Sequence, residues 1–117
     1  MISNTIYELL PQKLKDMSFI GNLPQDIDNC IAIIEDGGKP NVYFHKQYTG
    51  QPILKIVVRH LDFDFGQKLT KILKEAFKTY SDADFDMVII TEPLYFGRDD
   101  KHRNLWQLTF KTMIKEA

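Results

Sequence analysis

The chain has 117 residues, with 15 lysines and arginines against 16 aspartates and glutamates, and 44% of its residues are hydrophobic. A chain of this length buries one hydrophobic core, which argues against two domains and predicts a single domain over residues 1–117. The net charge of -1 argues against a protein that coats nucleic acid, since such proteins carry a basic excess.

Cysteine usage and the apolar runs indicate where the protein works. Cys30 is the only cysteine, so no disulfide can form within the chain, and a reducing compartment fits. The longest apolar runs, Cys30–Ile34 and Met87–Ile90, are too short to span a bilayer. The N-terminus lacks the basic region of a secretion signal, so the sequence predicts neither export nor membrane insertion.

The first third of the chain predicts one helix and one strand. Apolar residues recur at steps of three and four over Asn4–Met17, which predicts a first helix. Pro11 lacks an amide hydrogen, so this helix either kinks there or consists of two short pieces. Gly21–Asn29 is typical of a connection, and the apolar run Cys30–Glu35 after it predicts a first strand.

The middle of the chain predicts a second strand and a second helix. Alternate residues are apolar in Ile53–His60, as in a strand that has one face on a core. Asp62 or Asp64 can cap the following helix, whose apolar residues share one side as far as Tyr80.

Two further strands complete the predicted fold. Met87–Thr91 is apolar and β-rich, and in Trp106–Ile114 alternate residues are apolar or small. The predicted order is helix, strand, strand, helix, strand, strand. Since each helix has one apolar stripe, we predict an α+β fold, a two-layer sandwich of a four-stranded, mostly antiparallel sheet packed against two helices.

The sequence offers little support for catalysis. Asp36, Lys55 and Asp62 supply the residue types of a magnesium-dependent nuclease. However, Ile53 stands where an acidic residue is expected two positions before the lysine. We therefore predict that the protein is not an enzyme, with no catalytic residue, cofactor or metal.

A row of lysines follows the polar side of the second predicted helix. Its members are Lys68, Lys71, Lys74 and Lys78. Such a row is able to contact phosphates, but any half-exposed helix carries similar residues. We interpret it as a solvated face.

Two connections are candidates for contacts with other proteins. The first, Asp36–Pro52, spans 17 residues, which is longer than compact domains usually keep without a function. It contains Tyr43, Phe44 and Tyr48, and aromatic residues are enriched at protein interfaces. This loop either packs on a neighbouring protein or forms an extra hairpin that covers its own sheet.

The second connection, Gly97–Asn104, carries charges of both signs. Its charged residues include Arg98, Asp99, Asp100, Lys101 and Arg103. Mixed charge suits ion pairing between copies of one chain, where the arginine of one copy meets the aspartate of the next. A solvated hairpin tip explains the same residues.

Three stretches together have the layout of a known family. They are the strand Pro52-Ile-Leu-Lys-Ile-Val-Val-Arg-His-Leu-Asp62 with the helix that continues to Phe77, the turn Phe96-Gly-Arg-Asp-Asp100, and the closing strand Leu105–Met113. With the order of elements, they cover most of the chain. In these features the chain resembles the small tail terminator proteins of long-tailed bacteriophages, often labelled minor capsid proteins.

The resemblance implies a structural virion protein of a phage or prophage. Such a protein forms a ring, commonly a hexamer, that caps the completed tail tube, stops its polymerisation and offers the surface for head–tail joining. The implied partners are further copies of the chain, the tail tube protein and the head–tail connector protein, while DNA passes through the ring without specific binding. The implied location is the tail–neck junction of the virion, after assembly in the bacterial host cytoplasm.

The resemblance also points to interface residues. Arg59 and the turn from Arg98 to Arg103 match the charged strand and turn of the family, and a ring needs two different patches on each subunit. The aromatic residues of the first connection supply the other candidate patch. Two alternatives stay open: another phage neck or head-completion protein, or a small monomeric protein-binding domain.

Overall fold

A computed structural model describes residues 2–39 and 48–115 of the chain. Within these residues the elements are α1 (Ile2–Leu9), α2 (Gln12–Lys15), β1 (Ser18–Ile20), β2 (Cys30–Lys39), β3 (Tyr48–His60), α3 (Phe63–Phe77), β4 (Phe85–Ile89), β5 (Leu94–Arg98) and β6 (Asn104–Lys115). The strands form one sheet in the order β1-β2-β3-β6-β4, and β5 also pairs with β6. β4 lies along the C-terminal half of β6 and β5 along its N-terminal half.

The predicted sandwich of four mostly antiparallel strands and two helices is wrong, because six strands form one mixed sheet and three helices are present among the described residues. β1 has three residues, too few for a periodic pattern, and pairs in parallel with β2. β5 follows Pro93 and contains Gly97, a composition more typical of a connection. The first predicted helix is interrupted at Pro11, which separates α1 from α2.

Most of the predicted connection between the first two strands is itself strand. β2 continues through Asp36 to Lys39, and β3 already begins at Tyr48. The two strands pair antiparallel as far as Lys39 and Gln51, with an irregularity in register after Asp36. β2 and β3 therefore form a hairpin longer than the alternating pattern predicts.

The helices cover one face of the sheet. Side chains along a strand alternate between faces, so every second residue of the central strands points to the helices. The central strands bury Ile31, Ile33, Leu54, Ile56, Val58, Trp106, Leu108 and Phe110 in this core. α1 adds Ile2 and Ile6, and α3 adds Leu69, Leu73 and Phe77.

The start of α3 is fixed by a cap and by a close contact with β6. The Asp62 carboxylate accepts a hydrogen bond from the Phe65 backbone N–H at 3.1 Å, so Asp62 is the N-cap. One turn into the helix, the Trp106 ring lies where a Cβ of residue 66 would stand, and only glycine leaves room for it. The Trp106 indole N–H also donates to Gln67 Oε1 at 2.8 Å.

This contact predicts that the substitution Gly66→Ala destabilises the fold. Alanine improves helix propensity by about 1 kcal/mol, but forcing a methyl group into a packed core costs about 1–3 kcal/mol or more. Because Trp106 is only 1% exposed, the ring has little room to move, and we expect a net loss of stability. Urea unfolding measures it, with Lys71→Ala on the exposed side of the same helix as control. A higher midpoint for Gly66→Ala than for wild type would contradict the packing.

Candidate interaction surface

Arg59 lies inside the structure. β3 places its side chain on the sheet face opposite the helices, and the residue is only 4% exposed. Its guanidinium donates hydrogen bonds to the carbonyl oxygens of Pro24 and Ile27. Both belong to the segment Gly21–Asn29, which we name the covering loop. Arg59 therefore holds the covering loop on the sheet.

Arg103 holds the same loop from the start of β6. Its Nη1 donates to the carbonyl oxygen of Gln25 at 2.8 Å and lies 3.7 Å from a carboxylate oxygen of Asp28. On its other side, Nε pairs with the Asp99 carboxylate at 2.8 Å. Its position is thus determined by partners within the same chain.

Asp99 organises the charged turn before β6. Its Oδ1 accepts the backbone N–H groups of Lys101 and Arg103 at 2.9 and 3.0 Å. The hydrogen bond from the Arg103 backbone N–H has the largest effect on the pKa of Asp99 and lowers it. The hydrogen bond from the Arg103 guanidinium lowers the pKa further, while partial desolvation opposes both. His102 completes the turn with a φ of 62°, in the left-handed region.

The structure thus divides the interface residues predicted from the sequence. Arg98, Asp100 and Lys101 are exposed, whereas Arg59 and Arg103 are buried and Asp99 is half-buried. Tyr43 and Phe44 lie outside the described residues, and Tyr48 begins β3 opposite Lys115. A subunit contact through any of these residues stays a prediction, but the two buried arginines already have a structural role.

The arginine contacts predict a specific effect of Arg103→Gln. The variant loses charged hydrogen bonds, each worth about 1.5–3 kcal/mol, and frees the covering loop. We expect a lower urea midpoint and faster cleavage before Asp26 and Asp28 by an endoproteinase that cuts at aspartate. Arg98→Gln, which removes an exposed arginine five positions away, is the matched control. Equal cleavage rates in both variants would contradict the role of Arg103.

Large apolar side chains are exposed at one end of the sheet, where β3 ends and β6 begins. We name this group the apolar end patch. Its six residues are 43–58% exposed: Leu61, Phe63, Phe65, Leu94, Tyr95 and Phe96. Tyr95 pairs with Trp106 and lies on the helix side of the sheet, whereas Leu94 pairs with Gln107 and lies on the other side, so the patch extends over both faces of the β5 edge. They come from the start of α3, the residue after β3, and strand β5.

Ring contacts join the two parts of the patch. The Phe63 ring lies 5.2 Å from that of Tyr95, edge to face, and both contact the buried Trp106 ring at 5.5 and 5.3 Å. The Tyr95 hydroxyl donates to Asn104 Oδ1 at 2.7 Å, and the Asn104 amide in turn donates to the carbonyl oxygen of His60 at 3.1 Å. Phe63 and Tyr95 are therefore held in place before any partner binds.

A β-bulge interrupts the pairing of β5 with β6 at an exposed aromatic residue of the patch. Tyr95 pairs with Trp106 and Gly97 pairs with Leu105, so Phe96 is the extra residue on β5. Bulges redirect side chains and often occur next to functional sites. The outer edge of β5 pairs with no other strand in the part of the chain that the structure describes. Exposed edges of this kind are templates for pairing with another chain.

His60 lies beneath the patch and is mostly buried. Its ring stacks on Phe65 with centroids 4.9 Å apart, and its Nδ1 accepts the backbone N–H of Asp62 at 3.0 Å. Burial lowers the pKa of His60, against the opposing effect of the Asp62 carboxylate. His60 therefore stays neutral in the folded protein at neutral pH.

The lowered pKa predicts how stability depends on pH. Below the ordinary histidine pKa of about 6.5, the unfolded chain binds a proton that folded His60 does not bind. The contribution of neutral His60 to the free energy of unfolding is therefore complete above about pH 6.5. It declines as the pH falls towards the lower pKa of the folded state, by at most about 1.4 kcal/mol per pH unit.

Urea unfolding between pH 7.5 and 5.5 measures this dependence. We expect His60→Gln to flatten it, while His102→Gln, at an exposed histidine, keeps it. An unchanged slope in His60→Gln would contradict the assignment to His60.

Comparison with known proteins leaves the function to be argued from these surfaces. No family model matches the chain, and a search of curated proteins gives no significant match. Among the described residues, no helix is long and apolar enough to cross a membrane. The same part of the chain brings no three histidine, cysteine, aspartate or glutamate side chains together as metal ligands.

Sequence reasoning did not find the apolar end patch. Phe65 follows the helical pattern of the core residues, yet it is 54% exposed. The available signal was the dense apolar run Leu94–Phe96 directly after a proline, which suits an edge strand as well as a connection.

Proposed function

We propose that this chain is the subunit of a ring that caps a bacteriophage tail tube, as a tail terminator does. The observation that carries the proposal is the apolar end patch, in which six large side chains at one end of the sheet are 43–58% exposed. The likeness of three sequence stretches to tail terminators supports the same function.

The chemistry of the patch suits a protein partner. Contiguous apolar surface on a protein in water marks a contact site, and aromatic residues are enriched in interface cores. The free edge of β5 adds backbone hydrogen-bonding groups that pair with a strand of another chain. We assign the patch to the contact with the tail tube. Burial of its apolar area then stabilises the complex with the tube end.

The remaining features of the proposed function follow from ring geometry. A closed ring uses two different patches on each subunit, in addition to the patch that meets the tube. The opposite side of the ring is free to meet the head–tail connector protein. The net charge of -1 permits a lumen that DNA crosses without tight binding to its phosphates. Such a ring assembles in the host cytoplasm and ends at the tail–neck junction of the virion.

Tube binding is tested with the substitution Phe96→Ser. Phe96 is the most exposed residue of the patch at 58%, and Leu9 on α1 is similarly exposed at 48%, so Leu9→Ser is the matched control. Losing about 1.4 kcal/mol at the contact weakens binding about tenfold. Cosedimentation with tubes assembled from the tail tube protein of the same genome measures the affinity. Electron microscopy of growing tubes measures whether their length is limited.

The same assay separates the proposal from its alternatives. We expect wild type and Leu9→Ser to bind tubes and limit their length, and Phe96→Ser to do neither at the same concentration. A protein that binds isolated portal rings but not tubes is a neck or head-completion protein. A protein that binds neither and does not self-associate is a monomeric binding domain. Either outcome contradicts the terminator function.

A further inference from the structure

We infer that neighbouring copies of this chain contact one another through two surfaces of opposite charge, the outer side of α3 and the tip of the covering loop. The inference rests on the proposed ring function and assigns the subunit contacts within it. It is carried by the exposure, charge and position of the two surfaces.

The middle of the outer side of α3 carries two lysines beside an exposed isoleucine. Lys68 and Lys71 are exposed, one turn apart on the helix. Ile72, which follows Lys71, is 52% exposed. The buried side of the helix is separate and carries Leu69 and Leu73. In the described part of the chain, neither Lys68 nor Lys71 has a hydrogen bond or ion pair.

The other two lysines of the row differ in this respect. Lys74 pairs with Glu92 at 2.6 Å, and Lys78 pairs with Glu75 at 2.9 Å. Among the four lysines, the charges that are not neutralised by a nearby glutamate are therefore those of Lys68 and Lys71.

The tip of the covering loop is acidic, again with an exposed apolar centre. Asp26 and Asp28 are exposed and flank Ile27, which is 38% exposed. Asp26 has no hydrogen bond or ion pair within the described residues, and Asp28 reaches only Arg103, at 3.7 Å. The carbonyl groups of Gln25 and Ile27 are held by the two buried arginines. A tip fixed in this way loses little conformational freedom on binding.

The two surfaces complement each other in pattern. Each has an isoleucine beside two charged residues, and the signs are opposite, so a contact buries apolar area and forms ion pairs around it. Contacts between two helix surfaces or between two loop tips would place like charges together, which is unfavourable. The pattern therefore favours a contact between unlike surfaces of two copies.

Their positions prevent contact within one copy. α3 packs on the sheet face that carries Val58 and Trp106, whereas the covering loop lies on the face that carries Arg59. Surfaces on opposite faces of the sheet meet only between different copies. Such heterologous contacts repeat head to tail and close into a ring when the rotation allows it.

Charge reversal with complementation tests the assignment. The helix variant is Lys68→Glu with Lys71→Glu, and the loop variant is Asp26→Lys with Asp28→Lys. Each variant alone places like charges at every contact, so we expect the concentration for half-assembly in sedimentation velocity to rise at least tenfold. An equimolar mixture restores assembly, because alternating copies then place Glu against Lys at one contact and Asp against Lys at the next.

Two controls make the result specific. Lys13→Glu with Lys111→Glu changes the net charge as the helix variant does, at two lysines outside both surfaces and outside the interface residues predicted from the sequence, and we expect it to assemble like wild type. Asp26→Lys alone avoids the Asp28 contact with Arg103 and is used if the loop variant does not fold. It should weaken assembly in the same direction, and mixing it with the helix variant should strengthen assembly relative to either alone.

The outcomes separate this inference from the proposed function. Folded variants that assemble like wild type, or a mixture that stays as weak as its components, would overturn the assignment of these surfaces while leaving the ring itself intact. A wild-type protein that stays monomeric at all concentrations would overturn the ring and the assigned contacts together.

Discussion

The packing of Trp106 against Gly66 determines how closely the first turns of α3 approach β6. A side chain at residue 66 would overlap the ring, so the helix approaches β6 as closely as its backbone allows. The same ring contacts Phe63 and Tyr95, which belong to the apolar end patch. One buried ring thus contacts both the start of α3 and two aromatic residues of the exposed patch.

On the opposite face of the sheet, buried arginines rather than apolar side chains position the surface. Arg59 and Arg103 donate to carbonyl groups of the covering loop, which has few backbone hydrogen bonds of its own to the sheet. Buried guanidinium groups are tolerated where such acceptors are available. The consequence for function is indirect, since these residues hold the loop whose tip we assign to the subunit contact.

The sequence predicts the elements that have a clear period and strong caps. α3 with Asp62 at its start, and the alternating strands β3 and β6, follow from the residues themselves. β1 and β5 do not, because three residues, or five that include a glycine, are too short to show a period. β2 extends beyond the predicted end at Glu35 because it contains Gly37 and Gly38, residues that are more typical of a turn than of a strand.

The surfaces were harder to predict than the core. A hydrophobic pattern identifies apolar residues but does not show which of them a neighbouring element covers, so Phe65 shares the helical spacing of the core residues and is nevertheless exposed. Charge has the same limitation. Arg59 and Arg103 were expected at an interface, yet they contact the covering loop of the same chain. These contacts join residues far apart in the sequence, such as Arg59 and Pro24, which are 35 residues apart. Only the three-dimensional structure distinguishes an exposed arginine from one that is hydrogen-bonded within its own chain.

Native mass spectrometry over a range of protein and salt concentrations shows whether copies of this chain form a closed ring. We expect a dominant hexamer without a continuous series of larger species. Its population should fall as salt rises, because salt screens the proposed charged contacts. A monomer at every concentration would contradict a ring that assembles from this chain alone.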